Sequence, residues 1–176
     1  MNNFEFEHNG KKLWYSRSLA CNLIVFVRMP DKSISVLCNK RGQGCEFNKG
    51  KWNLPGGFID FNEDSKDCAI RETFEECGVK IDKNRVVFSE LLTKPHGKRQ
   101  TMTAVHYAIY EYNTEAKYWT FDTNNSENGE VEEVKLIDYV DIIKTNSIKN
   151  EFVNGQVEVI HNIFNKHYKE ICNLYD

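Results

Sequence analysis

The sequence predicts an α/β fold in which a mixed β-sheet lies between helices. Along its 176 residues, strand patterns come first, then a helix pattern, then more strands and a final helix, an order typical of layered α/β domains. The composition, 40% hydrophobic and 28% charged, is ordinary for a globular protein. Because this length suits one sizeable core, we predict a single domain over residues 1–176.

The first half of the chain carries strand patterns. Residues 1–18 are predicted to form a β-hairpin, because Asn9-Gly10 separates two runs of strand-forming residues. The continuous apolar run at 23–27 predicts a strand that is buried on both faces. A second strand over 33–38 follows the turn at Pro30-Asp31. These segments predict the start of the central sheet.

The middle of the chain combines a glycine-rich break with a helix. Residues 52–59 predict a strand that Pro55-Gly56-Gly57 interrupts. A helix is predicted over 66–77, with Asp64 or Ser65 as its N-cap and Gly78 at its C-terminal end. The sequence therefore places a flexible backbone directly before an amphipathic helix.

The second half predicts further strands and one long helix. Residues 86–93 and 102–112 are typical of two antiparallel strands, and 131–137 of another strand. Apolar residues at helical spacing predict a C-terminal helix over 157–172. The sheet is thus expected to have helices on both of its faces.

The predicted helix over 66–77 has an acidic face. At about 100° per residue, five residues are predicted to face the core: Ala69, Ile70, Thr73, Phe74 and Cys77. Glu72, Glu75 and Glu76 lie on the opposite arc, where they repel one another and oppose the helix dipole. Arg71 relieves part of this repulsion by pairing with Glu75.

Two interpretations of this acidic face stay open. A solvated surface helix can tolerate the repulsion, whereas a bound divalent cation would remove it. Oxygen ligands favour Mg²⁺ or Mn²⁺ over Zn²⁺. The backbone at Gly56 and Gly57 lacks Cβ atoms and can approach an ion or a substrate phosphate closely, although a simple β-bulge is the alternative. We expect the Gly56 carbonyl to be a further metal ligand and Gly57 to contact substrate.

Residues 57–79 resemble the Nudix box, G-x5-E-x7-R-E-U-x-E-E-x-G-U with U apolar. The fixed positions all match: Gly57, Glu63, Arg71, Glu72, Glu75, Glu76 and Gly78. Thr73 stands at the first apolar position and is a soft departure. The resemblance includes the lead-in from Trp52, and outside residues 52–79 it is one of layout only.

This resemblance implies a Nudix-type α/β/α sandwich with a mixed β-sheet, and a hydrolase that cuts a pyrophosphate bond in a nucleoside diphosphate linked to another group. It implies Glu72 and Glu76 as the main Mg²⁺ ligands, with Glu75 as a third. Arg71 would hold the carboxylates in place by pairing with Glu63 or Glu75.

The base that activates water varies in this family. Glu72 is one candidate, and an acidic segment after the sheet offers others: Glu127, Glu130, Glu132 and Glu133. We favour Glu130, because it lies where a loop meets a strand. A solvated acidic turn is the alternative.

The substrate is the least determined feature. Lys98 and Arg99 belong to a basic loop that could meet substrate phosphates, or could be a solvated surface loop. Pro95 falls sixteen residues after Val79, which resembles its placement in ADP-ribose-cleaving Nudix enzymes. An ADP-ribose-like substrate is favoured; a (d)NTP pyrophosphohydrolase and a non-catalytic nucleotide-sensing module are the alternatives.

Charge and cysteine content limit the partners. The net charge of −3 offers no general attraction to extended nucleic acid or to anionic membranes. The six cysteines lack metal-binding spacing and are expected to be reduced thiols. The polar first ten residues and the short apolar runs lead us to expect a cytoplasmic protein. A homodimer through the N-terminal hairpin is possible.

Overall fold

The computed structural model describes residues 4–15, 18–94, 101–124, 126 and 129–174. The strands are β1 (Phe4–His8), β2 (Lys11–Tyr15), β3 (Leu19–Arg28), β4 (Ile34–Arg41), β5 (Trp52–Asn53), β6 (Val87–Leu92), β7 (Met102–Glu111) and β8 (Val131–Asp138). The helices are α1 (Ser65–Cys77), α2 (Tyr139–Lys144), α3 (Asn146–Glu151), α4 (Gln156–Lys166) and α5 (Tyr168–Ile171). Short 3₁₀ turns span Lys83–Arg85 and Ala116–Tyr118.

The central sheet is mixed, as predicted. Its strands follow the order β5-β4-β3-β7-β6, and β8 also pairs with β4. β3 runs parallel to β7 along its whole length, from Leu19 opposite Met102 to Arg28 opposite Glu111. The other pairs in this sheet are antiparallel. The predicted pairing of the strands at 86–93 and 102–112 is confirmed by β6 and β7.

β3 is buried on both faces and connects the two halves of the core. Its residues 23–27 are 0% exposed, which confirms the sequence prediction. Leu23 and Val25 pack in the cluster that contains α1 residues, whereas Ile24 and Phe26 pack in the cluster that contains α4 residues. Each fully buried aliphatic side chain stabilises the fold by about 1.5–3 kcal/mol. The sheet therefore lies between helical layers, an α/β/α sandwich.

α1 begins and ends close to the predicted residues. Of the two candidate N-caps, Asp64 has this role, because its side chain accepts from the backbone N–H groups of Lys66 at 2.8 Å and Asp67 at 2.9 Å. Gly78 ends the helix in the left-handed conformation with φ of 71°, and its N–H donates to the Phe74 carbonyl. These two caps set where the helix begins and ends.

The predicted core face of α1 is partly wrong. Ala69, Thr73 and Cys77 are buried, as predicted, but Phe74 is 37% exposed and Cys68 is buried instead. The buried hydroxyl of Thr73 is not left without a hydrogen bond, because it donates to the Ala69 carbonyl at 2.7 Å. The buried stripe is therefore rotated by about one residue from the arc that sequence spacing indicates.

The single C-terminal helix predicted over 157–172 is wrong as one element. It consists of α4 and α5, which His167 separates with φ of −115° and ψ of 22°. The His167 ring is hydrogen-bonded to the Ser89 hydroxyl at 3.0 Å and to the Tyr107 hydroxyl at 3.2 Å. These contacts hold the segment between α4 and α5 against strands β6 and β7. The preceding helices α2 and α3 were not predicted, because six residues are too few for a periodic pattern.

The N-terminal hairpin is confirmed as a separate two-stranded sheet of β1 and β2. Asn9 and Gly10 both have positive φ, at 53° and 71°, as a tight hairpin turn requires. A homodimer built on this hairpin stays a prediction. Within the described residues, no helix is long and apolar enough to cross a membrane. The predicted substrate contacts Lys98 and Arg99, and also Pro95 and Glu127, lie outside the described residues.

Candidate active site

The acidic face of α1 opens into a cavity of about 240 Å³. Of the residues that the structure describes, seven line this cavity: Asp60, Arg71, Glu72, Glu75, Glu76, Ser126 and Glu130. The three α1 glutamates are thus brought together, and Glu130 joins them from a position 54 residues beyond Glu76 in the sequence. Glu132 and Glu133, the other described members of the acidic segment, lie on β8 and do not line this cavity.

Arg71 is the centre of an ion-pair network. Its Nε and Nη2 donate to the two carboxylate oxygens of Glu63 at 2.8 and 3.0 Å. Its Nη1 donates to Glu72 at 2.8 Å and to Glu75 at 2.9 Å. The ion pairs expected with Glu63 and Glu75 are both present, and Glu72 shares the same cation. The two-point contact with Arg71 lowers the pKa of Glu63 to about 2.

Glu76 has a different environment from the other glutamates. Its Oε2 accepts from the Gly56 N–H at 2.9 Å and from the Asn39 side-chain amide at 2.7 Å. Both donors favour the charged carboxylate, but burial outweighs them and raises the pKa of Glu76 to about 8. Burial also raises the pKa of Glu72, against the opposing effect of Arg71. Without a nearby cation, Glu76 keeps its proton at neutral pH.

The glycine-rich loop packs too tightly for side chains. The Pro55 carbonyl accepts from Leu23 N–H at 3.0 Å and the Gly57 carbonyl from Cys21 N–H at 2.9 Å, which fixes the loop on β3. A Cβ atom on Gly56 would lie 2.1 Å from the Cys21 carbonyl oxygen. A Cβ atom on Gly57 would lie 2.4 Å from Oε1 of Glu72. A side chain at Gly56 would therefore displace the β3 backbone, whereas a side chain at Gly57 would displace the carboxylate of Glu72.

The donors around the cavity suit a hard divalent cation. The carboxylates of Glu72, Glu75 and Glu76 line the cavity, and the Gly56 N–H, which donates to Glu76 at 2.9 Å, brings the glycine backbone next to them. Oxygen donors of this kind favour Mg²⁺ or Mn²⁺. Within the described ranges, no three Asp, Glu, His or Cys side chains are arranged so that they could hold one metal ion together. Arg71 engages two of these carboxylates, so a cation would compete with it.

Sequence reasoning missed three residues at this site, Asn39, Asp60 and Ser126. Asn39 is 1% exposed and follows Leu37 by two positions on β4, so both side chains face α1. A polar residue on that buried face was the available signal. Asp60 lies 3.8 Å from the Arg71 guanidinium and Ser126 lines the cavity; we find no sequence pattern that marks either one.

One known family model matches most of the chain. The NUDIX domain model matches residues 21–159, which include the sheet, the glycine-rich loop and α1. This range is most of the chain, and it stops short of the N-terminal hairpin. The chain therefore belongs to the NUDIX domain family.

Solved structures share the fold at low sequence identity. The NUDIX domain of Shewanella oneidensis NrtR, in complex with ADP ribose, has a TM-score of 0.66 at 17% identity, with 86% of this chain and 89% of that one covered. A mutT/nudix family protein from Listeria innocua has a TM-score of 0.66 at 19% identity, with 89% and 98% covered.

A third relative carries more than one activity. The bifunctional NMN adenylyltransferase/ADP ribose pyrophosphatase from Francisella tularensis, complexed with AMP and a Mn ion, has a TM-score of 0.64 at 18% identity. The match covers 86% of this chain and 42% of that one. The chain therefore spans less than half the length of that relative, and the likeness shows the fold alone.

Proposed function

We propose that this protein is a Mg²⁺-dependent pyrophosphohydrolase that cuts a nucleoside diphosphate linked to another group. The observation that carries the proposal is the cavity in which the α1 glutamates and Glu130 meet beside the Gly56 backbone. Glu72 and Glu76 are the main metal ligands, with Glu75 and the Gly56 carbonyl as further ones. Bound Mg²⁺ would neutralise phosphate charge and lower the pKa of an attacking water.

The chain's own residues supply the remaining chemistry. Water attacks phosphorus, the bridging P–O bond breaks, and the water proton passes to a carboxylate. Glu130 is the favoured acceptor of that proton, and Glu72 is the second candidate. Arg71 holds Glu72 and Glu75 in place through its Nη1. Gly57, which has no Cβ, lets the Glu72 carboxylate lie against the loop backbone, and it stays a proposed substrate contact.

An ADP-ribose-like compound is the favoured substrate. Two proteins of the same fold support this choice, one in complex with ADP ribose and one described as an ADP ribose pyrophosphatase. Lys98 and Arg99 stay proposed phosphate contacts. A (d)NTP is the alternative substrate, and a non-catalytic nucleotide-sensing module is the alternative function. The intact set of box glutamates favours an enzyme over such a module.

The test is a substrate panel of ADP-ribose, diadenosine polyphosphates, nucleotide sugars and (d)NTPs, with and without Mg²⁺. We expect Mg²⁺-dependent release of a nucleoside monophosphate, with AMP and ribose 5-phosphate from ADP-ribose. The Glu76→Gln variant should lose turnover by about a thousandfold or more. Glu132→Gln, which removes a carboxylate of the same acidic segment as Glu130 but outside the cavity, should keep wild-type turnover. Binding of Mg²⁺ and nucleotide without turnover would favour the sensing module.

A further inference from the structure

The backbone of Glu130 is held by residues 42–45, the segment that follows β4. The Gly42 N–H donates to the Glu130 carbonyl at 2.7 Å, and the Gly44 N–H donates to the Gly129 carbonyl at 3.0 Å. The Cys45 thiol also donates to the Glu130 carbonyl, at 3.1 Å, and Cys45 is buried. Three donors from one short segment therefore fix two consecutive peptide groups.

Gly42 is the point of closest approach in this contact. A Cβ atom at Gly42 would lie 2.3 Å from the Gly129 carbonyl oxygen and 3.3 Å from both the Glu130 carbonyl carbon and the Glu132 nitrogen. The Gly129 oxygen belongs to the backbone and cannot rotate away as a side chain would. A side chain at Gly42 would therefore push the backbone of Gly129 and Glu130 by roughly 1 Å to restore a normal non-bonded distance.

An irregularity in the sheet lies at the same place. Along the β4–β8 pair, Lys40 is opposite Glu133 but Arg41 is opposite Val131, so Glu132 has no partner of its own. Such a bulge bends its strand and changes the direction of the side chains beside it. Glu130 comes directly before this bulged end of β8, and its carboxylate makes no ion pair with any residue in the described ranges. Among the described residues, the hydrogen bonds that hold Glu130 in place are therefore those of its backbone.

We propose that residues 42–45 are a positioning element for Glu130, and that Gly42 is a positioning residue for the hydrolytic reaction. The inference rests on the proposed function, because it gives Glu130 the role of proton acceptor. In this proposal Gly42 does not contact substrate. Because it has no side chain, the segment after β4 can lie against the backbone of Gly129 and Glu130 and hold Glu130 at the cavity.

The test is a double-mutant cycle between Gly42→Ala and Glu130→Gln, measured as kcat and KM on the substrate found in the panel. Because a displacement of about 1 Å can cost about a hundredfold in rate, Gly42→Ala should lower kcat by about 10- to 100-fold and leave KM within about threefold. In the Glu130→Gln background, Gly42→Ala should have no further effect on kcat.

Gly50→Ala is the matched control. Gly50 follows the same segment, has φ of +73°, and has nothing within 4 Å of a Cβ atom built on it. The substitution strains the backbone, so it should lower the free energy of unfolding while kcat stays at the wild-type value. A kcat loss in Gly50→Ala as large as that in Gly42→Ala would overturn the proposal, since both would then report general loosening of the loop.

The remaining outcomes separate this inference from the proposed function. If Gly42→Ala slows the wild-type and Glu130→Gln enzymes by the same factor, residues 42–45 do not act through Glu130. If Glu130→Gln keeps full Mg²⁺-dependent turnover, the inference fails while the hydrolase stands. If Gly42→Ala does not fold, Cys45→Val replaces it, since valine removes the thiol donor and still fills the buried position with apolar atoms. It should lower kcat several-fold in the wild type only, and an unchanged kcat would contradict the proposal.

Discussion

Glu76 should make the affinity of the site for a divalent cation depend on pH. Burial raises the pKa of this carboxyl to about 8, so the metal-free protein holds a proton there at neutral pH. A metal ligand must be the carboxylate, and each bound ion therefore has to displace that proton. Affinity should rise with pH up to about 8 and then level off, because above that value the carboxylate is already free.

The size of the effect follows from this pKa. For a single proton, the apparent dissociation constant grows by the factor 1 + 10^(pKa − pH). With a pKa of about 8, binding should be about tenfold weaker at pH 7 than at pH 9, and about a hundredfold weaker at pH 6. At pH 7, close to one proton should leave for each ion bound. Glu72, whose pKa burial also raises, acts in the same direction.

Isothermal titration calorimetry with Mn²⁺ at pH 6, 7, 8 and 9 measures this dependence. Repeating the pH 7 titration in two buffers that differ in ionisation enthalpy gives the number of protons released. The Glu76→Gln variant is the control, because it has no proton to displace and should bind weakly at every pH. Affinities equal within twofold from pH 6 to pH 9 would refute the reasoning.

Two further predictions concern residues beside this carboxyl. The folded pKa of Glu76, about 8, lies above its ordinary value of 4.5, so the metal-free fold loses stability as pH rises from 4.5 to 8. Glu76→Gln should remove this loss and raise the free energy of unfolding at pH 9, in urea denaturation, by up to roughly 5 kcal/mol. An unchanged value would argue against a buried charge. Gly57→Ala would place a Cβ atom 2.4 Å from Oε1 of Glu72 and displace that carboxylate. The value of kcat should therefore fall by about 10- to 100-fold, with little change in the free energy of unfolding. A wild-type kcat in this variant would show that Glu72 does not need its present position.

The features that the sequence predicts well are those that depend on neighbours along the chain. Asp64 and Gly78 end α1 because their own side chain and backbone conformation satisfy the helix ends. The acidic arc of Glu72, Glu75 and Glu76 follows from helical spacing alone, and these residues meet in one cavity. The burial of β3 on both faces is predicted by its continuous run of apolar residues.

The features that the sequence does not predict depend on contacts between distant residues. The break between α4 and α5 depends on the contacts of His167 with Ser89 and Tyr107, which lie 78 and 60 residues earlier. One of the two donors to Glu76 is Asn39, which lies 37 residues away on β4. Periodicity within one segment carries no information on such partners, so these positions need the assembled sheet.

The same distinction explains how the acidic helix is tolerated before any ion binds. From helical spacing alone, three glutamates repel one another and one nearby arginine offsets only part of that repulsion, which indicates a further cation. The assembled protein relieves the repulsion by two means that depend on tertiary contacts. Arg71 is held by Glu63 in a position from which Nη1 reaches both Glu72 and Glu75, and burial keeps a proton on Glu76. A divalent ion would compete with the first and displace the second, so binding has to be linked to a proton and to a change in the Arg71 network.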